Sequence, residues 1–519
     1  MESKEILRFC LENGLLLDKE VLGLLSEEGD VDSIKLIIEK IKSYSKGKII
    51  TKDLFYKNKE QVIQFFSNFP EEKQKNLEVL KIKLGLSIEI SKNIPPIGDT
   101  KRENFISGES KVRVASANLR VGKKFDVSDF VNLFKGRLSE LKAILQERPE
   151  LENLVSINKL SGNRQSVSLI GIVYEKRLTK NKNILFEIED LTGTVKILVN
   201  QNKEEIYRKA EEIPLDSIVA FKCSGDKNIL FAQDLFFPDS ILTERKKSPL
   251  EEYALFISDM HIGSKNFLES NFLKFINYLN ENIPNNPASK IKYLFIVGDL
   301  VTGIGNYPDQ EKDLKIFDLE DQFNYAADLL GRIRKDIKII ISPGNHEGVR
   351  LMEPQPLFDE KYAWALHDME NVILTENPAL VNICSQKNFS GFNVLTYHGF
   401  SYRFYADNIP SLMKVKAMNS PEKIMEFLLK YRHLAPTHGS VQYFPSEKDI
   451  HLIREIPDIF VSGHTHKSGV YYYNNILIIS GSSWESLTPY QEKFGNTPDF
   501  CKVPMVNLKT REVKILDFE

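Results

Sequence analysis

Five apolar runs in the C-terminal half of this chain each end in side chains that bind metals or move protons. YALFIS runs into Asp259-Met-His261, YLFIV into Gly298-Asp299, and IKIIIS into Gly344-Asn345-His346-Glu347. NVLTY runs into His398-Gly399, and DIFVS into Gly463-His464-Thr465-His466. Asp259 and His261 lie two apart, so on an extended chain they point to one side; His464 and His466 do the same if that segment is extended. Imidazole mixed with carboxylate suits Mn, Fe, Zn or Ni, whereas Mg and Ca prefer oxygen. The seven candidates are Asp259, His261, Asp299, Asn345, His398, His464 and His466, and with Asp299 bridging they give each of two ions four protein ligands. Two ions about 3.5–4 Å apart can hold a phosphate and lower the pKa of a bridging water to make a nucleophile. His346 adjoins Asn345, so the two do not readily ligate one ion. Its expected role is a general acid that protonates the leaving oxygen. A single GD or one histidine at a strand end is most often structural; the ordered series carries the weight.

From about residue 250 onward, apolar strands alternate with helical segments, the pattern of an α/β domain. In open α/β sheets ligands bind at the carboxyl ends of strands, so one crevice can collect all these groups. The stripe Phe272, Phe275, Ile276 and Leu279 reads as helix core. Upstream, residues 166–237 hold short strands with a hairpin at Gly193, which suggests a small barrel of the OB kind. Its first turn carries Lys176, Arg177, Lys180 and Lys182, candidates for single-strand binding, although a solvated hairpin tip is the commoner explanation of a lone charge run. Arg350, just past the GNHE motif, is a further candidate for a DNA phosphate. A helix precedes the barrel, with Phe130, Phe134, Leu138, Leu141 and Leu145 on one side. Pro95, Pro96 and Gly98 mark a linker. Ile34, Ile37, Ile38 and Ile41, with a second apolar segment at 53–66, read as a small helical docking module. The expected organisation is a helical region (1–70), a linker (71–111), a helix plus OB barrel (112–245) and a catalytic domain (246–519).

Composition sets outer limits. A chain of 519 residues implies two to four domains, and 42% hydrophobic with 27% charged residues is that of a globular protein. No apolar run reaches about 18 residues, so no membrane span is expected. The start, MESKEILRFCLENG, lacks the apolar stretch of a secretion signal. Cys10, Cys223, Cys384 and Cys501 have no metal-type spacing and read as reduced core thiols of a cytoplasmic protein. The net charge of −3 gives no global attraction to nucleic acid, so any DNA contact must be local.

The series DMH, GDL, GNHE, YHG and GHTH resembles the calcineurin-like metallophosphoesterases, whose fold is a β-sandwich with flanking helices. The segments PQPLFDEKYAWAL, YRHLAPTHG, EIPDIFVSGHTH and GSSWESLTPYQEKFGNTPDFCKVPMVNLKT resemble the small subunit of archaeal family D DNA polymerase over roughly residues 120–519. That resemblance implies a 3′→5′ DNA exonuclease that proofreads for a separate large catalytic subunit at a primer 3′ end. It places one ion, manganese in the active form with iron or zinc as alternatives, on Asp259, His261, Asp299 and His466. A second ion falls on Asp299, Asn345, His398 and His464, with His346 as the acid. No sliding-clamp peptide is visible, so clamp contact would come only through the complex. Two other readings stay open: a scaffold for the large subunit and a free-standing phosphodiesterase. The complete ligand set speaks against the first, the upstream barrel against the second.

Overall fold

Val, Ile and Phe fill the runs that read as strands, and in the computed structural model they build two sheets packed face to face. The structure describes residues 2–18, 21–22, 25, 31–44, 49–50, 102–103, 111–115 and 124–519, apart from 282, 284, 285, 447, 489, 490 and 493–496. The chain divides into two units, 1–100 and 101–519. In the first, α1 (Glu2–Glu12) and α2 (Val31–Tyr44) accompany a short parallel pair, β1 (Leu16–Leu17) and β2 (Ile49–Ile50). Ile34, Ile37 and Ile38 are buried as their helical spacing requires. The expected helix at 53–66 and most of the expected linker lie outside the described residues.

The second unit opens with β3 (Arg102–Glu103) and β4 (Lys111–Ala115). Both belong to a sheet of the C-terminal sandwich, β4 pairing antiparallel with the strand at 379–385. The boundary expected near 111 is corrected here. A strand near a sheet edge can stay largely polar, and in KVRVA only Val112 and Val114 pack against the core. Helix α3 (Val127–Gln146) follows, started by a capping box of Asp126 and Asp129. Next come β5 (Gln165–Leu178), β6 (Ile184–Asp190), β7 (Gly193–Val199), α4 (Glu204–Glu211), β8 (Ile218–Gly225) and β9 (Leu230–Phe236). These strands close into a barrel in the order β5-β6-β7-β9-β8. The β6–β7 turn is fixed by the Asp190 carboxylate, which accepts the N–H groups of Thr192 and Gly193.

The sandwich then runs β10 (Tyr253–Ile257), α5 (Glu269–Asn280), β11 (Ile291–Val297), α6 (Leu319–Gly331), β12 (Lys338–Ser342), α7 (Glu360–His367) and β13 (Val372–Leu374). It continues through β14 (Ala379–Ser385), β15 (Phe392–Thr396), α8 (Tyr402–Asn408), α9 (Pro421–Tyr431), β16 (Ile459–Ser462), β17 (Gly469–Tyr473), β18 (Ile476–Ser480), β19 (Lys502–Asn507) and β20 (Val513–Asp517). One sheet has the order β13-β12-β11-β10-β19-β20, the other β17-β18-β16-β15-β14-β4-β3. Strand alternation divides the apolar side chains: Ala254 and Phe256 face the second sheet, while Leu255 and Ile257 face the helices. Strands β10, β11 and β12 are mutually parallel, as are β15 and β16, so their carboxyl ends can share one rim. No helix among the described residues is long and apolar enough to cross a membrane.

An ionic cluster lies between α3 and the sandwich. Arg137 Nε donates to Asp449 at 2.6 Å and Nη1 to the Pro436 carbonyl at 2.8 Å. His433 Nε2 lies 2.9 Å from the same carboxylate, and His451 hydrogen-bonds Glu353. All five side chains are buried. The Ala435 N–H donates to His433 Nδ1, so the neutral ring carries its proton on Nε2 and gives it to Asp449. Burial and the Arg137 charge hold His433 down at about 3. Folding therefore excludes a proton that the unfolded chain binds below about pH 6.5, and stability falls with pH through that window. Relative to His433→Asn, the wild type should lose about 2 kcal/mol more between about pH 7 and pH 5 in chemical denaturation. Parallel pH profiles for the two proteins would remove this assignment.

Candidate metal centre

The site is built by five turns that leave the carboxyl ends of β10, β11, β12, β15 and β16. Asp259, His261, Asp299, His464 and His466 all have positive φ, between 51° and 70°. The expectation of extended segments is corrected: these residues sit in the left-handed region, which side chains other than glycine seldom enter. Surrounding hydrogen bonds hold them there. Asp259 N–H donates to the Gly298 carbonyl at 3.1 Å and His261 N–H to that of Asp299 at 3.0 Å. Both Asp259 carboxylate oxygens accept the His464 N–H, at 2.9 and 3.0 Å, which ties the turn of one sheet to that of the other. The glycines are dictated by crowding. A Cβ on Gly298 would lie 2.1 Å from the His398 ring, and one on Gly344 would lie 2.3 Å from Asp299 Oδ1. Strain of this kind is tolerated where the surroundings over-determine the backbone, as they do here.

Among the described residues, three sets of side chains bring ligand atoms within 4.8 Å of one another: Asp259–His261–His466, His261–Asp299–His346 and Asp299–His398–His464. His261 Nε2 faces His466 Nε2 at 3.1 Å, and His466 Nε2 lies 3.5 Å from Asp259. Asp299 Oδ2 is 3.3 Å from His398 Nε2 and 3.9 Å from His261 Nε2. Asn345 Oδ1 is 3.0 Å from both His398 Nε2 and His464 Nδ1. All seven candidate ligands therefore meet in one pocket, with His346 beside them. The two histidines of GHTH do not share a side, however. His464 turns to Asn345 and His398, and His466 to Asp259 and His261, because both residues are left-handed rather than extended.

Burial keeps most of these imidazoles neutral: His464 is pushed down to about 3, His466 to about 4, and His261 well below its usual value. His398 is the exception. Burial alone would lower it, but the Asp299 carboxylate lifts it to about 10, while His398 and the other rings hold Asp299 well below the carboxylate range despite its burial. The Val297 carbonyl lies 3.2 Å from His398 Nδ1, which fixes a proton there and aims Nε2 at Asp299 and Asn345. Two neutral rings with Nε2 atoms 3.1 Å apart, next to two buried carboxylates, form a donor set that suits divalent cations of the Mn, Fe or Zn kind.

Several supporting residues lie outside the set of candidate ligands. Glu347 is buried, and its carboxylate accepts the N–H groups of Gly344 and Leu300, cross-linking the GD and GNHE turns; burial pushes it up to about 8. Its place as the last letter of GNHE was the available signal. Asn377 Oδ1 accepts the His398 N–H at 2.9 Å. The Gln491 amide lies 2.8 Å from His466 Nδ1, and such an amide can present either nitrogen or oxygen. Nothing in the sequence links Gln491 to a histidine 25 positions away. Gln491→Ala should weaken manganese binding by roughly 10–100-fold in a metal titration, as loss of a ligand's outer partner typically does. Unchanged affinity would leave the amide without a role at the centre.

The expected DNA contacts are scattered. Lys176 is corrected: its ammonium donates to the carbonyls of Glu211 and Ile213 at 2.7 and 3.0 Å, and burial lowers it to about 8. A bulge between Val173 and Glu175 shifts the strand's phase and turns that side chain onto the end of α4. Arg177, 3.8 Å from Glu175, is exposed, as are Lys180 and Lys182. Arg350 donates to the Pro354 carbonyl at 2.9 Å, with its guanidinium 4.9 Å from the Phe444 ring centre.

Comparison with known proteins agrees with this architecture. Residues 254–468 match the calcineurin-like phosphoesterase family. The chain is 38% identical over 403 residues to the DNA polymerase II small subunit of Pyrococcus furiosus, covering 76% of this chain and 64% of that one. It is 36% identical over 468 residues to the small subunit of Pyrococcus horikoshii, covering 87% and 73%. With that of Methanothermobacter thermautotrophicus it shares 34% identity over 427 residues, covering 81% and 82%. The chain thus spans less than two thirds of the Pyrococcus furiosus relative's length. Residues 254–468 thus have the fold and the pocket of a calcineurin-like phosphoesterase domain. The chain belongs to the family of archaeal DNA polymerase II small subunits, the family D small subunits that its motifs resemble.

Proposed function

We propose that this chain is a proofreading subunit, a two-metal 3′→5′ DNA exonuclease that acts beside the large catalytic subunit of a family D polymerase in the cytoplasm. The observation that carries the reading is the meeting of Asp259, His261, Asp299, Asn345, His398, His464 and His466 in one buried pocket. Divalent ions held there would supply charge to grip a phosphodiester and lower the pKa of water. The chain's own part is to hold seven donors in fixed turns and to place an acid at the leaving oxygen. His346 is suited to be that acid, because its Nδ1 lies 2.8 Å from the Thr302 carbonyl and the proton held there leaves Nε2 to face the pocket. The barrel's strand order, with α4 between β7 and β8, supports an OB fold, a class that binds single strands. Clamp contact would come through the complex.

The decisive assay is release of nucleotides from a 3′-labelled primer by the full chain, alone and co-purified with its large subunit, with and without manganese. Metal-dependent release is expected. No release from either preparation would leave the scaffold reading in its place.

A further inference from the structure

His464 borders an aromatic surface that the chemistry of the pocket does not use. The Phe400 ring lies 5.7 Å from the His464 ring, tilted by 35°, just past the His398-Gly399 turn. Phe400 is half-buried and packs on a small cluster of Leu133, Ala435, Val441 and Tyr443, together with Phe130. From there the ring contacts continue. Phe130 lies 6.0 Å from Tyr443 and 5.9 Å from His438, and Phe134 lies 6.1 Å from His438. Phe130 and Phe134 are half-buried one turn apart on α3, and His438 is exposed. At the start of α3, Phe125 pairs with Phe444 at 5.5 Å, and the Arg350 guanidinium lies over Phe444.

We infer that Phe400, Phe130 and His438 form a stacking track for single-stranded DNA that leads into the His464 side of the pocket; Phe134, whose ring lies 4.6 Å from the Arg137 guanidinium, supports it from below. The inference rests on the nuclease reading above. Every base has a π-face, so stacking holds a strand whatever its sequence, as an enzyme trimming any 3′ end requires. In a duplex those faces are already stacked on one another, so the track favours unpaired ends. Continuity with a donor of the metal centre argues for a strand rather than a protein partner, which would cover the pocket mouth if it docked there. Arg350 adds a positive charge at one end of the surface, and the chain's net charge of −3 offers no global substitute.

The test uses the full chain in EDTA, where no cleavage occurs, with fluorescence anisotropy of a labelled oligothymidylate and of a duplex of equal length. Phe130→Leu and Phe400→Leu keep apolar volume but remove the π-face. Each should weaken single-strand binding by roughly tenfold, with Phe130→Tyr and Phe400→Tyr recovering it and duplex binding little altered. Leucine variants that bind as the wild type does, tyrosine variants as weak as leucine, or a wild type that binds no single strand would overturn the track. A wild type that binds in this pattern but releases no nucleotide in manganese, either alone or with the large subunit, would sustain the track and sink the nuclease reading instead.

Discussion

Asp299→Ala should abolish metal-dependent nucleotide release, lowering the rate by roughly 10³-fold or more, beyond the effect of removing a single transition-state donor. Asp299 and His261 each belong to two of the three ligand sets among the described residues, and of the two it is Asp299 that joins the His398–His464 set. One oxygen reaches His398 at 3.3 Å and both His261 and His346 at 3.9 Å, while the other accepts the His346 N–H at 3.0 Å. Removing the carboxylate separates the two halves of the donor set and frees the GNHE turn. The apolar cores on either side of the first sheet do not include this residue, so the fold should persist. Manganese titration should show both high-affinity sites weakened, and far-ultraviolet circular dichroism an unchanged spectrum. A variant that kept a tenth of wild-type activity would refute the bridging role.

How much of this was legible depends on whether a residue's environment is local. The strands carrying the site are buried on both faces, so they read as short apolar runs, and the first polar residues after each run mark its carboxyl end. That is why Asp259, Asp299, Asn345, His398 and His464 could be placed from the sequence. Their backbone conformation could not. Aspartate and histidine carry no marker for the left-handed region, and contacts such as Asp259 to the His464 N–H impose it from 205 residues away. Arg137 was hidden for a related reason. It lies on the same face of α3 as Leu133 and Leu141, but an arginine among leucines reads as surface unless its counter-charge is known, and Asp449 lies 312 positions on. Lys176 misled because one bulge inverted the phase of its strand.

His346→Ala should separate proton transfer from metal holding. Among the pocket histidines His261, His346, His398 and His466, its side chain is the most exposed, at 17% against 0% for His398, as befits a group that must reach a leaving oxygen. Thr302 holds the ring through Nδ1, and the Asn306 amide donates to the same carbonyl at 3.0 Å, so Nε2 is fixed toward the pocket. Loss of a general acid typically slows turnover by about 10²–10⁴-fold. The size of that loss must depend on the leaving group. A 3′-terminal nucleotide leaves the strand's alkoxide oxygen, which needs a proton, whereas p-nitrophenolate leaves without one. On a p-nitrophenyl ester of thymidine monophosphate the variant should therefore lose far less, and its manganese affinity should match that of the wild type. Equal losses on both substrates, accompanied by weaker metal binding, would make His346 a ligand through the His261–Asp299–His346 set rather than an acid.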